Sequence, residues 1–306
     1  MARRRATTQP FDEGGKQMRL GRKIISLLPD DVQDLWVAMR VHKTHHGQYP
    51  NLIRPRTFNE WIARRKALDR RPILTHFADK YAVRDYVAER VGTRILTELY
   101  CVTRDAANIP FASLPDRFVV KPTHGSGWVT VVRDKSQLDQ DVLIGQCRTW
   151  LASDYYRLRR EWPYKNVVPQ ILVEEFIDNG GAEPASDVRF YVFDGKVELI
   201  QVDVGRFIGH ERAFLDCDWN ELPIKMRYPA VAGGVPKPRH LPDMLRIAEL
   251  LGKGMDFVRV DLYDTERKIY FGEITTTPVC GCGHFEPPSV DVQLGRLWQQ
   301  SATRSR

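Results

Sequence analysis

The chain has 306 residues, with 46 Lys and Arg against 39 Asp and Glu (net +7) and 42% hydrophobic side chains. This is ordinary globular usage, enough for one large domain or two small ones, and it excludes wholesale disorder. No apolar run approaches the roughly 18 residues that a membrane helix requires, so a soluble protein is expected. Five cysteines, Cys101, Cys147, Cys217, Cys280 and Cys282, are an odd and sparse set for a secreted disulfide framework, and the expected compartment is the cytoplasm. The first ten residues carry three arginines with no apolar stretch behind them and read as a disordered basic start, not a targeting signal. The positive surplus favours anionic partners. Without an RNA-recognition motif, zinc-finger spacing or a dense basic helix, nucleic acid is not expected among them.

In chain order, Lys16 to Leu28 mixes Arg19, Arg22 and Lys23 with Ile24, Ile25, Leu27 and Leu28. It reads as an amphipathic helix packed on its own domain, with peripheral association with an anionic membrane as the alternative. Val32, Leu35, Trp36 and Met39 fall at helical spacing after Asp30 and Asp31. His42, His45 and His46 have no acidic or thiol partner beside them and read as a solvated helix end. A helix from Thr57 to Ala67 starts with a capping box, Thr57 as N-cap and Glu60 three residues on. Another spans Ala78 to Val91. Strands are predicted at Ile95 to Val102, Phe118 to Lys121 and Trp128 to Arg133, followed by a helix from Leu138 to Leu158. Three more strands are predicted at Pro169 to Ile177, Val188 to Phe193 and Lys196 to Val204, the last two joined by an Asp194–Gly195 turn. A helix from Pro242 to Leu251, strands from Phe257 to Tyr263 and Lys268 to Ile274, and a helix from Val290 to Gln300 complete the series. Hairpins interleaved with helices indicate α+β, and Asp178 to Ser186 and Pro229 to Pro242 read as loops.

Three segments carry candidate chemistry. In Phe118-Val-Val-Lys121-Pro-Thr-His124-Gly-Ser-Gly-Trp128 a strand delivers a lysine directly before a glycine-bearing turn. Gly125 and Gly127 allow backbone N–H groups to converge on an anion, and Ser126 and Lys121 add a hydroxyl and a point charge. Alone, such a turn is an ordinary hairpin corner. In Val258-Arg259-Val-Asp261, Arg259 and Asp261 share a strand face, and Glu273 on the next strand can come opposite them. Two carboxylates there suit Mg²⁺; a solvent-facing ion pair with Arg259 is the plainer alternative. Between these segments, Glu174 and Glu175 end one strand and Arg189 lies among Val188, Phe190, Val192 and Phe193.

In this order the features resemble an ATP-grasp enzyme, and more narrowly the TupA-like ATP-grasp family, named for teichuronopeptide biosynthesis. The resemblance rests on Ala78-Asp-Lys80-Tyr-Ala-Val-Arg84, Lys121 to Trp128, Glu161-Trp-Pro-Tyr-Lys-Asn166, Ile200 to Arg206, Phe214 to Trp219, Phe257 to Tyr263 and Phe271-Gly-Glu273-Ile-Thr275. It implies an ATP-grasp fold, two α+β lobes clasping ATP, with residues 1–70 as a basic tail and helical segment and 71–306 as the ATP-grasp domain. The smaller lobe would span about 95–173 and the larger about 174–306. By the same resemblance Lys80 and Lys121 meet the nucleotide phosphates, under a loop of His124, Gly125, Ser126 and Gly127. Glu174 and the backbone near Phe176 meet adenine, Glu175 or Asp178 the ribose, and Arg189 faces the phosphates. Asp261 and Glu273 hold Mg²⁺, with Thr275 where many ATP-grasp enzymes carry a third ligand, an asparagine. Arg259 stands where ligases of this fold place an arginine on the reacting acyl group.

The implied reaction is ATP-dependent ligation of a carboxylate to an amine through an acyl phosphate, on a cell-surface polysaccharide or its precursor. Residues from Tyr155 to Lys165, with Arg206, His210 and Arg212, would receive an acidic sugar. Rival readings are a glycosyltransferase using Asp216-Cys-Asp218, an ATP-grasp kinase, and a non-catalytic nucleotide-binding module. Cys280-Gly-Cys282 with His284 reads as a loop beside the active site in preference to a metal or redox centre.

Overall fold

A computed structural model describes residues 25, 27–178, 187–205 and 209–304. Most of the Lys16 to Leu28 segment, nearly all of the Asp178 to Ser186 loop, and Arg206 lie outside the described residues.

The described chain opens with helices α1 (Asp30–His46), α2 (Phe58–Leu68), α3 (Pro72–Ala78) and α4 (Val83–Val91). The Thr57–Glu60 capping box forms at the start of α2, with both reciprocal hydrogen bonds in place. The helix expected over Ala78 to Val91 is divided, because Asp79 ends α3 and its carboxylate accepts the Tyr81 and Ala82 N–H groups. That turn carries Lys80 at its apex. The three histidines do not form a solvated helix end: His42 is buried against the Gln48 carbonyl, and His46 bonds the Gly281 carbonyl at 2.8 Å.

Strands β1 (Leu99–Thr103), β2 (Phe118–Pro122), β3 (Thr130–Val132) and β4 (Ile171–Glu175) make an antiparallel sheet in the order β1-β4-β2-β3. One face packs Phe118, Val120, Ile171 and Val173 against Leu143, Cys147 and Trp150 of α5 (Gln140–Leu151). The helix expected to run on to Leu158 breaks here. Asp154 leaves the helix and caps α6 (Tyr155–Arg159), accepting the Arg157 N–H.

The second sheet has five antiparallel strands: β5 (Asp187–Phe193), β6 (Lys196–Val204), β7 (Glu211–Leu215), β8 (Val258–Asp264) and β9 (Ile269–Thr275). Their order is β7-β6-β5-β8-β9. Strand β7 was not foreseen: it is a short edge strand in which Glu211 and Arg212 mask the alternation. One face buries Val188, Phe190, Val260 and Leu262 against Met244, Ile247 and Leu251 of α7 (Leu241–Gly252). On the other, Tyr191, Phe193 and Phe257 pack with Phe58 and Ile62 of α2 and with Leu294 and Trp298 of α8 (Ser289–Arg304). Further along this second face the cross-strand register places Arg189 opposite Asp261, and Asp261 opposite Glu273. Period-two alternation thus gives one face to the core and leaves a polar row on the other. Among the described residues no helix is long and apolar enough to cross a membrane.

Candidate active site

Glu273 of the polar row, its neighbour Arg259 and the end of β2 face one cavity of about 240 Å³. Lys121 and Glu174 reach it from the four-stranded sheet, and Arg259, Glu273 and Thr275 from the five-stranded one. Lys80 enters from the α3–α4 turn, and Ser126 from the glycine turn. Its remaining end is closed by Tyr155, Glu161 and Tyr164 and by Thr277 and Cys280, just past β9. Residues far apart in the sequence therefore meet at one place.

On the first sheet Lys121 forms an ion pair with Glu174, whose other oxygen accepts the Thr97 hydroxyl at 3.0 Å. Successive residues of a strand point to opposite faces. Glu175 accordingly turns away, accepting the Tyr270 hydroxyl at 2.6 Å and the Glu98 N–H at 3.0 Å. It does not line the cavity, so the ribose assignment to Glu175 is not supported by its position. Asp178 pairs with Arg117 at 2.5 Å, and Arg117 lies over the Phe176 ring.

The Lys80 ammonium is bonded to the Gly125 carbonyl. Burial, reinforced by the like charge of Lys121 and opposed by Glu273, lowers its pKa to about 8. The Gly125 carbonyl can come this close because the residue lacks a side chain: a Cβ there would lie 2.6 Å from the Trp128 ring. His124, also expected at the phosphates, is placed elsewhere. Its ring is buried, with Nε2 at 3.0 Å from the Trp150 carbonyl and an edge contact to Trp128. It anchors the turn to the end of α5, and of the four turn residues only Ser126 lines the cavity.

The second wall is a charge network. The Arg259 Nε and Nη2 groups donate to the two Asp261 oxygens at 2.7 and 2.6 Å, and Nη2 also reaches Glu273 at 2.9 Å and Thr275 at 3.0 Å. The pair is buried, not solvent-facing. Arg189 does not line the cavity. It is neutralised behind the wall by Asp187 (2.8 Å), Asp203 (2.7 Å) and Asp261 (3.5 Å), away from the place expected for it. Asp203 in turn holds Arg212; burial pushes its carboxyl up, but Arg212 and Arg189 outweigh this and bring it to about 2. Burial raises Asp261 above the usual carboxylate range, with Arg259 opposing. Glu273 is different: its side chain is 48% exposed, and Arg259 and Lys80 overcome burial to hold it below its ordinary value. A bulge lies between β8 and β9 beside it, and a Cβ on Gly272 would sit 2.9 Å from the Tyr263 ring. Such bulges re-aim a neighbouring side chain.

The cations expected to receive an acidic sugar lie elsewhere. Arg160 and Lys165 each pair with Asp30 at 2.8 Å, Arg157 with Asp154 at 3.2 Å, and Arg212 with Asp203. His210 stacks on Tyr228. Asp216 accepts the N–H groups of Asp218 and Asn220 and so closes a turn. Sequence reasoning did not single out Thr97, and it named Glu161 and Arg84 only within the segments that carry the resemblance, with no role of their own. Arg84 donates to the Thr97 carbonyl at 2.7 Å, a contact that no local spacing announces.

An α+β chain with two antiparallel sheets facing one cavity of lysines, an arginine and carboxylates has the ATP-grasp architecture. The sequence matches the TupA-like ATPgrasp family over residues 60–299, and the chain belongs to that family. The expected class, an ATP-grasp ligase, accords with this membership. Among solved structures the chain is similar to D-alanine–D-alanine ligase from Bacillus anthracis complexed with ATP, at 18% identity over 76% of this chain and 68% of that one (TM-score 0.45). It is also similar to the ATP-grasp ligase PsnB with precursor peptide PsnA2 and AMPPNP, at 14% identity over 95% and 72% (TM-score 0.40). A third likeness is to the macrocyclase MdnC from Microcystis aeruginosa MRC with precursor peptide MdnA, at 10% identity over 77% and 64% (TM-score 0.40). No curated protein matches the sequence.

Proposed function

We propose that the protein joins a carboxylate to an amine at the expense of ATP, through an acyl phosphate. The observation that supports this most is the convergence of Lys80, Lys121, Arg259 and Glu273 on one cavity. A carboxylate oxygen attacks the γ-phosphorus and ADP leaves; the substrate ammonium gives up a proton to become the free amine, whose nitrogen attacks the acyl carbon and loses a second proton to solvent as phosphate departs with the C–O electron pair. In the first step the protein's task is positioning and charge neutralisation. Lys121 and Lys80 meet the phosphates from one side, and Arg259 supplies fixed positive charge from the other. No nucleophilic side chain is needed.

The oxygen donors suit magnesium. Glu273 lines the cavity and uses only Oε1 for Arg259 and Thr275, and Asp261 lies directly opposite it with both oxygens now on Arg259, which would have to yield one of them to an ion. Glu273, Asp261 and Thr275 would hold the ion, which would neutralise phosphate charge. Glu174 beside Lys121 is placed for the nucleotide side of the cavity. Family membership supports a cell-surface polysaccharide or its precursor as the species modified.

ADP release should be screened with amino acids against uronic acids and nucleotide-sugars, and the products weighed by mass spectrometry. An amide product is expected. ADP with only a phosphorylated product would make the protein a kinase, and turnover of nucleotide-sugars without ATP would make it a glycosyltransferase.

A further inference from the structure

The cavity's three carboxylates are not equivalent. Glu174 is neutralised by Lys121 and Glu273 by Arg259. Glu161 is 6% exposed and lines the same cavity, yet among the described residues no Lys, Arg or His nitrogen lies within 4 Å of it. Its oxygens accept only neutral donors, the Thr277 hydroxyl at 3.0 Å and the Cys280 thiol at 3.4 Å. Lys66 is near enough to act on the Cys280 thiol but forms no ion pair with Glu161 within 4 Å. A buried carboxylate without a countercharge is costly, and a cation entering the cavity would remove that cost.

The surroundings select the kind of cation. One carboxylate with a hydroxyl and a protonated thiol is a poor set for a divalent metal. Burial and then the Glu161 charge push the Cys280 thiol up to about 12, so it remains a donor. Beside Glu161 stand the rings of Tyr155 and Tyr164, edge to face at 4.6 Å, which favour an organic cation with an apolar stem. The arrangement is held from outside. Arg65 bonds the Thr276 carbonyl at 3.0 Å, and Asn59 the Gly283 carbonyl at 2.9 Å. Val279 and Cys280 adopt left-handed φ values of 52° and 56°, a conformation that side chains rarely take without such support.

We propose that Glu161 anchors the ammonium group of the amine substrate, at the end of the cavity beyond Glu273; this rests on the ligase function proposed above. The site then has a nucleotide end with positive charge to offer and an amine end with negative charge to offer.

The test is the melting temperature of the full chain with Mg²⁺ and a non-hydrolysable ATP analogue, titrated with benzylamine and with benzyl alcohol as the uncharged counterpart. Benzylamine is expected to raise the melting temperature of the wild type and benzyl alcohol to leave it unchanged. Glu161→Gln should abolish the benzylamine shift and keep the nucleotide shift, without melting lower than the wild type in the absence of ligands. Thr277→Val, which keeps the carboxylate, should keep the benzylamine shift. In turnover, Glu161→Gln should raise the KM of the amine at least about thirtyfold and leave that of ATP within twofold. A wild type indifferent to benzylamine, or a Glu161→Gln variant that responds equally, overturns the proposal. So does stabilisation by Mg²⁺ alone that depends on Glu161, which would mark a metal site. Loss of the nucleotide shift in the wild type would instead overturn the ligase assignment, while the benzylamine arm still reports on Glu161.

Discussion

The two sheets present charge to the cavity in opposite ways. On the five-stranded sheet, Arg212, Asp203, Arg189, Asp261, Arg259 and Glu273 form one continuous chain of ion pairs, mostly buried. The four-stranded sheet offers the pair Lys121 with Glu174, and beside it the α3–α4 turn brings a lysine, Lys80, whose ammonium rests on a carbonyl. Each member of the network is over-determined by neighbours, so its removal strands another buried charge. The lysines opposite are held by little and remain available to a ligand. Stability should therefore reside mainly in the one wall and phosphate affinity mainly in the other.

The comparison breaks most visibly at the cavity itself. Lys121→Ala and Glu273→Gln are each expected to lower ADP formation by at least about a thousandfold, because neutralisation of the transferring phosphoryl group dominates such reactions. Wild-type turnover in either variant would mean that the cavity is not the site.

Next in size is a residue behind the wall. Asp203→Asn leaves Arg189 and Arg212 buried beside a neutral amide and should cost about 3–5 kcal/mol in denaturant unfolding. Nucleotide affinity should change little, since Asp203 does not reach the cavity. The pH dependence carries the same sign. The Asp203 pKa is about 2 in the folded protein and 3.8 ordinarily, so its contribution is present above about pH 4 and is lost as pH falls towards 2. Asp203→Asn should flatten that acid limb.

Lys80 sharpens the comparison from the other side. With its pKa lowered to about 8, the charged form that meets phosphate disappears as pH rises through that value. ATP affinity should fall there by up to about tenfold, and Lys80→Arg should remove the dependence. Calorimetry across this range decides it. Smaller still, Gly125→Ala should destabilise by about 1–3 kcal/mol through contact with the Trp128 ring, read as a shift in melting temperature. The least effect belongs to His124→Gln, which should leave ATP affinity within about twofold because the ring faces Trp150 and not the cavity.

Much of this was legible in the sequence where a local rule operates. Thr57 and Glu60 announce α2, Asp194–Gly195 announces the β5–β6 hairpin, and alternation along β8 and β9 puts Arg259, Asp261 and Glu273 on one face. What was not legible depends on partners distant in the chain. Arg189 looked like a site residue because it interrupts an apolar strand, but besides Asp187 on its own strand its carboxylates come from β6 and β8. The sequence does hold a trace of this: Gln201 and Asp203 alternate with Val202 and Val204 at the end of β6, and both prove almost fully buried. His124 sat inside a phosphate-loop pattern, yet Trp150 of a different helix captured it. Glu161 lies between Arg160 and Trp162 with no periodic signal, and only the fold shows that the neighbouring cations turn to Asp30 while the glutamate turns inward.

The most direct measurement is calorimetric titration of Mg·ATP into the wild type and into Lys121→Ala and Glu273→Gln. If side chains from both sheets grip one nucleotide, the wild type binds one equivalent and both variants bind at least tenfold more weakly, as expected for loss of a charge-assisted contact. One equivalent bound with undiminished affinity by either variant, or no binding by the wild type, would contradict it.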